Sequence, residues 1–293
     1  MKILPKPLRQ RAEHFLSEEA GRVVFGNLLG FENNRIARSR LRTARRQAGP
    51  IPDVSGAAEL RRDGCAFYGG IDRDKLETVR REYFAAIEDP TLADSTGRSA
   101  RRLAGPGEPV YRVILKDVAK ALPSVLDLID ADLMRFLTSY YQANFRLHSM
   151  EAWRIFYVPE DVLAAKDSPY SLRWHVDHHP PDTMKLFIAL DDIGPGDGPL
   201  HFVTRQRSGE LIRAGYRNRH SYGGAAAMLE GQVTRLAGPA GTAAFCNPTT
   251  NLHRAGIPEP GHRRDMLQFR FEAAAEPFDP KAPLTAVKPR KSA

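Results

Sequence analysis

Residues 171–204 read SLRWHVDHHPPDTMKLFIALDDIGPGDGPLHFVT, and they carry the clearest fold signal in the chain. Three runs rich in branched and aromatic residues alternate here with proline, glycine and aspartate, the pattern of short strands joined by turns. Four similar runs follow downstream. In chain order the seven runs are SLRWHVD, MKLFIAL, GPLHFVT, QVTRLA, GTAAFC, NLHRAG and MLQFRF. Short strands at such spacings predict a sandwich or a barrel.

Upstream of this region the apolar residues recur with the period of helices. Asp72 is a candidate N-cap, and apolar residues follow it at spacings of three and four, which predicts a helix after the short strand Cys65–Tyr68. A second helical region is interrupted by Pro123, and residues 145–158 read as one strand or a pair. The sequence therefore predicts a mixed α and β fold with helices packed outside the sheets. The apolar helix positions are Leu76, Val79, Tyr83, Ile87, Leu126, Ile129, Leu133, Phe136, Leu137 and Tyr140.

Composition excludes several classes of protein. The chain has 293 residues, of which 42% are hydrophobic and 27% charged, close to the average for soluble globular proteins. No apolar run exceeds five residues, whereas a membrane-spanning helix needs about 20. The first twenty residues contain no secretory apolar segment. The two cysteines, Cys65 and Cys246, form no CxxC pair and no disulfide framework. These features predict a soluble, cytoplasmic protein without a membrane span.

Basic residues outnumber acidic ones, 43 to 35, giving a net charge of +8. This excess makes anionic partners plausible without choosing among them. Six arginines lie between Arg35 and Arg46 with no acid among them, which predicts a solvated basic helix or arm. No aromatic residue is interleaved with these arginines, as stacking on nucleic-acid bases would require, so a nucleic-acid partner is not favoured.

The strongest chemical signal is the tripeptide His175-Val176-Asp177. On a strand, residues two apart point to the same face about 7 Å apart, so an imidazole and a carboxylate can reach one metal ion. Pro180 and Pro181 end the strand directly afterwards. Most H-x-D tripeptides are structural or solvated, but His253 on a later strand supplies a third candidate ligand. Two histidines and one carboxylate form the arrangement that suits non-heme Fe(II).

Further charged residues accompany this triad. Arg264 follows His253 by eleven residues and opens the last strand, where a guanidinium could grip a dicarboxylate bidentately. Arg263 is the alternative, because it shares the parity of the apolar residues 267, 269 and 271. Lys185 interrupts an apolar strand and either contacts a carboxylate or extends to the surface. His178 and His179 are interpreted as solvated or supporting residues.

The order of these motifs resembles one known family. H-x-D is followed by LDDIGPGDGPLHFV, GPAGTAAF, LHRAG and an arginine on the last strand, as in the phytanoyl-CoA dioxygenase-like branch of the Fe(II)/2-oxoglutarate oxygenases. RRDGCAFYGGIDRDKLETVR is similar to that branch's first strand and helix. The resemblance runs from about residue 58 to 272. It implies a double-stranded β-helix core (jelly roll, cupin-like) with packing helices mainly from the N-terminal half.

The resemblance also implies a site and an activity. His175, Asp177 and His253 would bind Fe(II), Arg264 would bind the distal carboxylate of the co-substrate 2-oxoglutarate, and O2 would take the remaining position. Halogenating relatives have a small residue in place of Asp177, so hydroxylation or another oxygenase outcome such as desaturation is expected. Lys185 is a second candidate contact to the co-substrate. Residues 1–57 would form a basic helical arm, 58–276 a single jelly-roll domain and 277–293 a disordered tail.

The substrate is predicted only by class. Residues 205–224, RQRSGELIRAGYRNRHSYGG, contain five arginines and one acid, and in this branch such a segment lies near the barrel mouth. We therefore expect a small or medium-sized anionic metabolite contacted by Arg217 and Arg219, the alternative being a solvated loop. Two other functions stay open: a non-catalytic basic jelly roll that binds anions, and a nucleic-acid oxygenase.

Overall fold

The computed structural model describes residues 35, 37–94, 111–159, 172–177, 179–214, 229 and 232–280. Two antiparallel sheets form the centre of this part of the chain. Their strands are β1 (Cys65–Tyr68), β2 (Ala93–Asp94), β3 (Arg112–Leu115), β4 (Asn144–Phe156), β5 (Met184–Ala189), β6 (Leu200–Phe202), β7 (Thr234–Leu236), β8 (Ala243–Cys246), β9 (His253–Arg254) and β10 (Arg263–Ala274). The larger sheet has the order β1-β8-β5-β10-β4-β3-β2, and the smaller has the order β7-β6-β9.

Helices pack mainly from the N-terminal half. They are α1 (37–48), α2 (Ala57–Asp63), α3 (Arg73–Ile87), α4 (Val118–Ala121), α5 (Ala131–Tyr141) and α6 (Arg205–Arg213), with short 3₁₀ turns at Val125–Leu128 and Pro195–Asp197. The predicted helix start at Asp72 is confirmed, because its carboxylate accepts hydrogen bonds from the backbone N–H groups of Asp74 and Lys75. Such a cap satisfies donors that would otherwise lack partners at the helix start.

The two faces of the larger sheet belong to two different cores. Its outer face packs against the helices, burying Leu267, Phe269 and Phe271 in one apolar cluster with residues of α2, α3 and α5. Its inner face meets the smaller sheet, where Phe187 and Met266 pack with Phe202. A helix layer, a large sheet and a small facing sheet make up the predicted jelly roll, and the mixed α and β class is confirmed.

Most of the predicted strands are present, with one difference. Residues 145–158, predicted as one strand or a pair, correspond to the single long strand β4. The run around the H-x-D motif is not a continuous strand, and its one ladder contact is an isolated bridge between His175 and His253. Pro180 and Pro181 follow closely, and proline cannot donate to a ladder.

The basic run is tied to the body of the protein where the structure describes it. Helix α1 buries Ala37 and Ala44, and the Arg40 guanidinium contacts the carboxylates of Asp182 at 2.7 Å and Glu272 at 3.1 Å. At the other end of the chain, Phe278 stacks on the Phe145 ring at 5.3 Å. Residues 1–34 and 281–293, and with them most of the predicted arm and tail, lie outside the described residues.

Within the described ranges, no helix has the length and apolar character needed to cross a membrane. The two cysteines, distant in sequence, are directly opposite each other across β1 and β8, and both are free thiols.

Candidate metal centre

The structure brings His175, Asp177 and His253 together at one point. One ligand atom from each residue lies within 4.8 Å of the other two, and among the described residues this is the one such group of three His, Cys, Asp or Glu side chains. The Nε2 atoms of His175 and His253 lie 3.4 Å and 3.9 Å from Asp177 Oδ1. The convergence predicted from the H-x-D motif and the distant histidine is therefore present.

Backbone pairing brings the two histidines to this point. The N–H of each residue donates to the carbonyl of the other at 3.0 Å, and the ring centroids lie 4.3 Å apart. Each Nδ1 in turn lies near a backbone carbonyl, at 2.7 Å from Arg173 for His175 and 3.0 Å from Asn251 for His253. An Nδ1–H donated to a carbonyl leaves the lone pair on Nε2, the nitrogen that faces Asp177. Both rings are thus oriented as metal ligands.

The second carboxylate oxygen of Asp177 faces two other side chains. Lys185 Nζ donates to Asp177 Oδ2 at 2.7 Å, and His179 Nε2 lies 3.4 Å from the same oxygen. Oδ1 faces the two triad histidines while Oδ2 is held by the lysine. Lys185 therefore extends into the barrel and not to the surface, and the carboxylate that it contacts in the structure is that of Asp177.

Burial controls the protonation of this cluster. Burial raises the pKa of Asp177, but the contact with His175 and the charge on Lys185 outweigh this effect and hold the pKa far below its usual range. Burial and the neighbouring His175 lower the pKa of His253 to about 3. Burial and the charge on Arg270 lower the pKa of His179 to about 4. An ionised Asp177 beside a neutral His253 is the protonation state that a divalent metal requires.

Arg264 and Arg263 lie on opposite faces of β10. Arg264 is 1% exposed, on the same face as Met266 of the inner core. Arg263 is 48% exposed and faces Asp191 and Asp265. The alternative in which Arg263 points into the barrel does not hold, because the alternating residues 267, 269 and 271 face the helices and not the barrel interior.

The Arg264 guanidinium is buried and forms no ion pair with an acid in the described part of the chain. Its Nη1 donates to the Gly256 carbonyl at 3.1 Å, whereas Nε and Nη2 are buried with no hydrogen-bond partner among the described residues. Burial, followed by the charge of Arg112, lowers the pKa of Arg264 to about 9. Buried donors are almost always paired in native proteins, so unpaired nitrogens on a buried cation indicate a missing anion.

A second charged cluster on the inner face was not predicted from the sequence. Glu272 is buried and accepts from Arg146 Nη2 at 2.7 Å and Arg270 Nη2 at 3.0 Å, with His148 Nδ1 at 3.3 Å. Hydrogen bonds from His148 and Arg146 outweigh the effect of burial and hold the pKa of Glu272 below its usual range. The detectable signal was polar residues at alternate positions of an apolar strand, Gln268, Arg270 and Glu272.

The predicted substrate contacts Arg217 and Arg219 lie outside the described residues, as does His178.

Comparison with known proteins gives a structural but not a sequence match. No protein-family model and no curated protein matches the chain. The structure of EctD from S. alaskensis with 2-oxoglutarate and 5-hydroxyectoine superimposes with a TM-score of 0.52 at 13% identity, covering 75% of this chain and 76% of that chain. EctD with bound Fe gives 0.51 at 14% identity, covering 78% and 86%. At these identities the similarity concerns the fold, and the chain has the jelly-roll fold of the EctD structures.

Proposed function

We propose that the chain is a non-heme Fe(II)- and 2-oxoglutarate-dependent dioxygenase that hydroxylates a small or medium-sized anionic metabolite. The observation that carries the proposal is the convergence of two imidazoles and one carboxylate within 4.8 Å. Two histidines and one carboxylate suit non-heme Fe(II) and leave coordination positions open for other ligands.

The donor set fits such a metal. His175, Asp177 and His253 would hold Fe(II) through the two Nε2 atoms and Oδ1. Each Nδ1 is engaged by a backbone carbonyl, at 2.7 Å and 3.0 Å, which orients the rings before any metal arrives. Lys185 engages Asp177 Oδ2 at 2.7 Å, and an oxygen that already accepts an ammonium is less available to the metal. We therefore propose that Asp177 offers one oxygen and that Lys185 orients it.

Arg264 fits the co-substrate. A 2-oxoglutarate dianion has a carboxylate at each end, and a guanidinium recognises a carboxylate through two parallel N–H···O bonds. Arg264 has two buried nitrogens without a partner in the described part of the chain, so a carboxylate arriving there would neutralise its charge and satisfy its donors. Contact of Lys185 with the co-substrate stays a prediction, in competition with its bond to Asp177.

The chain's own contribution is orientation and exclusion of water. When bound, Fe(II) and 2-oxoglutarate would supply the oxidising chemistry, in which O2 converts the co-substrate to succinate and CO2 and one oxygen atom enters the substrate. The inner core, with Phe187, Phe202 and Met266 fully or nearly fully buried, lines the space between the sheets with apolar groups. Such walls keep water out and strengthen the contacts made inside.

Two further observations support the proposal. EctD, which has the same fold, was solved with bound Fe and with 2-oxoglutarate. The net charge of +8 is compatible with an anionic substrate. The roles predicted for Arg217 and Arg219 in binding that substrate stay predictions.

The decisive experiment is anaerobic addition of Fe(II) and then 2-oxoglutarate to the full chain, followed by visible absorption. We expect a weak charge-transfer band that requires both additions. His175→Ala should abolish the band, because one of the three metal ligands is lost. His179→Ala is the matched control: this histidine lies beside Asp177 but is not assigned to the metal, so the band should persist.

A wild-type protein that gives no band and binds no Fe(II) would contradict the proposal and favour the non-catalytic alternative. Loss of the band in His179→Ala, with the band retained in His175→Ala, would contradict the assignment of the ligands.

A further inference from the structure

The inner face of β10 carries two arginines, Arg264 and Arg270. Arg264 contacts the carbonyl of Gly256, which follows the triad residue His253 by three positions. Six residues further along β10, Arg270 is directly opposite Lys185 of β5, and Lys185 contacts the triad residue Asp177. Side chains directly opposite on neighbouring strands share a face. Arg264 and Arg270 therefore lie on the same face of β10, six residues apart, and each is connected to the triad through one of these contacts.

Exposure distinguishes the two ends. Arg264 is fully buried. Towards the other end, the exposed fraction of the cationic side chains rises from 13% at Lys185 and 14% at Arg270 to 50% at Arg146. The series Lys185, Arg270 and Arg146 thus leads from the triad towards solvent. A substrate would reach the triad along this open end, while the co-substrate occupies the closed end at Arg264.

Among the described residues, the open end has more cations than anions. Arg40, Arg146, Arg270 and Lys185 face three carboxylates, Asp177, Asp182 and Glu272. Glu272 contacts three of the guanidinium groups, and of these Arg40 also contacts Asp182. Arg146 and Arg270 therefore share the one carboxylate of Glu272. The Arg270 Nε is buried with no hydrogen-bond partner among the described residues. One further anion would balance the cluster and satisfy that nitrogen.

A β-bulge in β4 adds a further side chain to this cluster. Arg270 pairs with Ser149 and Phe271 with Leu147, so β4 carries His148 as an extra residue. Bulges re-aim side chains and are frequent beside functional sites. Here the bulge brings His148 Nδ1 to 3.3 Å from Glu272 Oε1, on the same acid that holds Arg270 at 3.0 Å.

We propose that Arg270, oriented by Glu272 and flanked by His148 and Arg146, binds a carboxylate group of the substrate. This inference rests on the proposed function and deepens it, because it names the substrate class and the residue that recognises it. Arg270 is a substrate-binding residue in this account, and Glu272 is a positioning residue. A carboxylate is favoured because the described cluster has a surplus of one positive charge and a planar guanidinium matches a planar carboxylate.

The test uses the full chain loaded with Co(II) and saturating 2-oxoglutarate, so that the Arg264 end is occupied. The probe is 4-fluorobenzoate, observed by ¹⁹F NMR, with 4-fluorobenzamide as the neutral comparison and 4-fluorophenyl phosphate as the phosphate comparison. We expect saturable binding of the benzoate, with line broadening by the nearby Co(II), and no binding of the benzamide. Arg270→Met should weaken benzoate binding by about tenfold or more, since a charge-assisted bidentate pair is lost.

Two variants make the result specific. Glu272→Gln should weaken benzoate binding by less than Arg270→Met does, because the guanidinium of Arg270 keeps its charge but loses the carboxylate that orients it. Arg263→Met is the matched control, an arginine of the same strand on the outer face, and should leave the benzoate affinity unchanged. Thermal unfolding of each variant checks that the fold is retained, and Glu272 keeps two guanidinium partners in Arg270→Met.

Equal binding of benzoate and benzamide, or an unchanged benzoate affinity in Arg270→Met, would overturn the inference. If Co(II) and 2-oxoglutarate still bind in that case, the proposed function is not affected. Preference for the phosphate, lost in Arg270→Met, would overturn the carboxylate and assign a phosphate to the same site. Failure of the wild type to bind Co(II) or 2-oxoglutarate would overturn the proposed function itself.

Discussion

Arg264 and Asp265 are neighbours on β10, and both are buried ionisable residues. Their side chains lie on opposite faces of the strand and have different hydrogen-bond partners. On the outer face, Asp265 Oδ1 accepts from Tyr83 Oη at 2.6 Å and Arg154 Nε at 2.7 Å, and Oδ2 lies 3.3 Å from Arg263 Nε in an ion pair. On the inner face, Arg264 has one hydrogen bond, to a backbone carbonyl at 3.1 Å, and two buried nitrogens with no partner among the described residues. A buried charge that has its partners is structural, whereas one without them indicates a ligand.

The same contrast holds along the whole strand. Outward-facing Leu267, Phe269 and Phe271 join the helices in one apolar cluster. Inward-facing Gln268 and Glu272 are buried polar residues. The outer face therefore stabilises the fold, and the inner face carries polar residues that are available to bind ligands. Substitutions on the two faces should consequently affect different measurements.

The largest effect is expected on the outer face. Asp265→Ala should lower the free energy of unfolding by about 3–5 kcal/mol, because it leaves the nearly buried Arg154 without its buried partner. Urea unfolding of the ligand-free protein measures this change. The affinity of the folded fraction for 2-oxoglutarate should stay the same, since Asp265 does not face the barrel interior.

Asp191→Ala is the control for the Asp265 substitution. Asp191 also lies near Arg263, at 3.9 Å, but is 41% exposed, so its loss should change the free energy of unfolding by less than about 1 kcal/mol. Equal losses in the two variants would mean that the buried network on the outer face does not stabilise the fold.

The next effect is expected at the neighbouring residue on the inner face. Arg264→Met should weaken 2-oxoglutarate binding to the Co(II)-loaded protein about a hundredfold, because two charge-assisted hydrogen bonds are lost. Without ligand, the same variant should have a higher free energy of unfolding than the wild type, since it removes a buried cation that has no acidic partner among the described residues. Calorimetric titration and urea unfolding give the two quantities.

A variant that loses stability without ligand and keeps its affinity for 2-oxoglutarate would reverse the comparison. Arg264 would then be the structural charge of the pair.

The sequence predicted most of the strands. It did not predict which face of a strand packs against the helices and which faces the second sheet. The alternation of Leu267, Phe269 and Phe271 indicated a buried face, and that face is buried. Alternation alone does not say whether a face meets helices or another sheet, which is why Arg263 remained an alternative to Arg264. A central strand covered on both sides has two buried faces, and its tertiary contacts decide between them.

The triad was predictable because its chemistry is local in sequence, apart from one distant histidine. The cluster of Arg270, Glu272 and His148 was not, since it depends on strand register and on a bulge at residue 148. No local pattern specifies which residue of β4 faces which residue of β10. The signal available in the sequence was a charged side chain within an apolar strand. The sequence did not show which face of that strand points into the barrel.

Lys185 is an intermediate case between Asp265, which has its partners, and Arg264, which has two nitrogens without a partner among the described residues. Substitution of Lys185 is expected to give the smallest effect. It is an inner-face cation with a partner, but that partner is the proposed metal ligand Asp177, at 2.7 Å. If Lys185 orients Asp177, Lys185→Met should weaken Co(II) binding in the absence of 2-oxoglutarate by about tenfold, since removing a hydrogen-bond partner of a metal ligand typically weakens the site by 10- to 100-fold. The low end is expected because His179 also approaches Asp177 Oδ2, at 3.4 Å.

The affinity for 2-oxoglutarate at saturating Co(II) should then be close to that of the wild type. The opposite split, with Co(II) binding unchanged and 2-oxoglutarate binding weakened, would make Lys185 a co-substrate contact. Lys116→Met serves as the matched control, because that ammonium contacts backbone carbonyls of Pro90 and Thr91 at an exposed site. If only the Lys185 variant loses affinity for the metal, an inner-face charge that has a partner is functional as well. Function on the inner face is then identified by which residue the partner is, and not only by the absence of a partner.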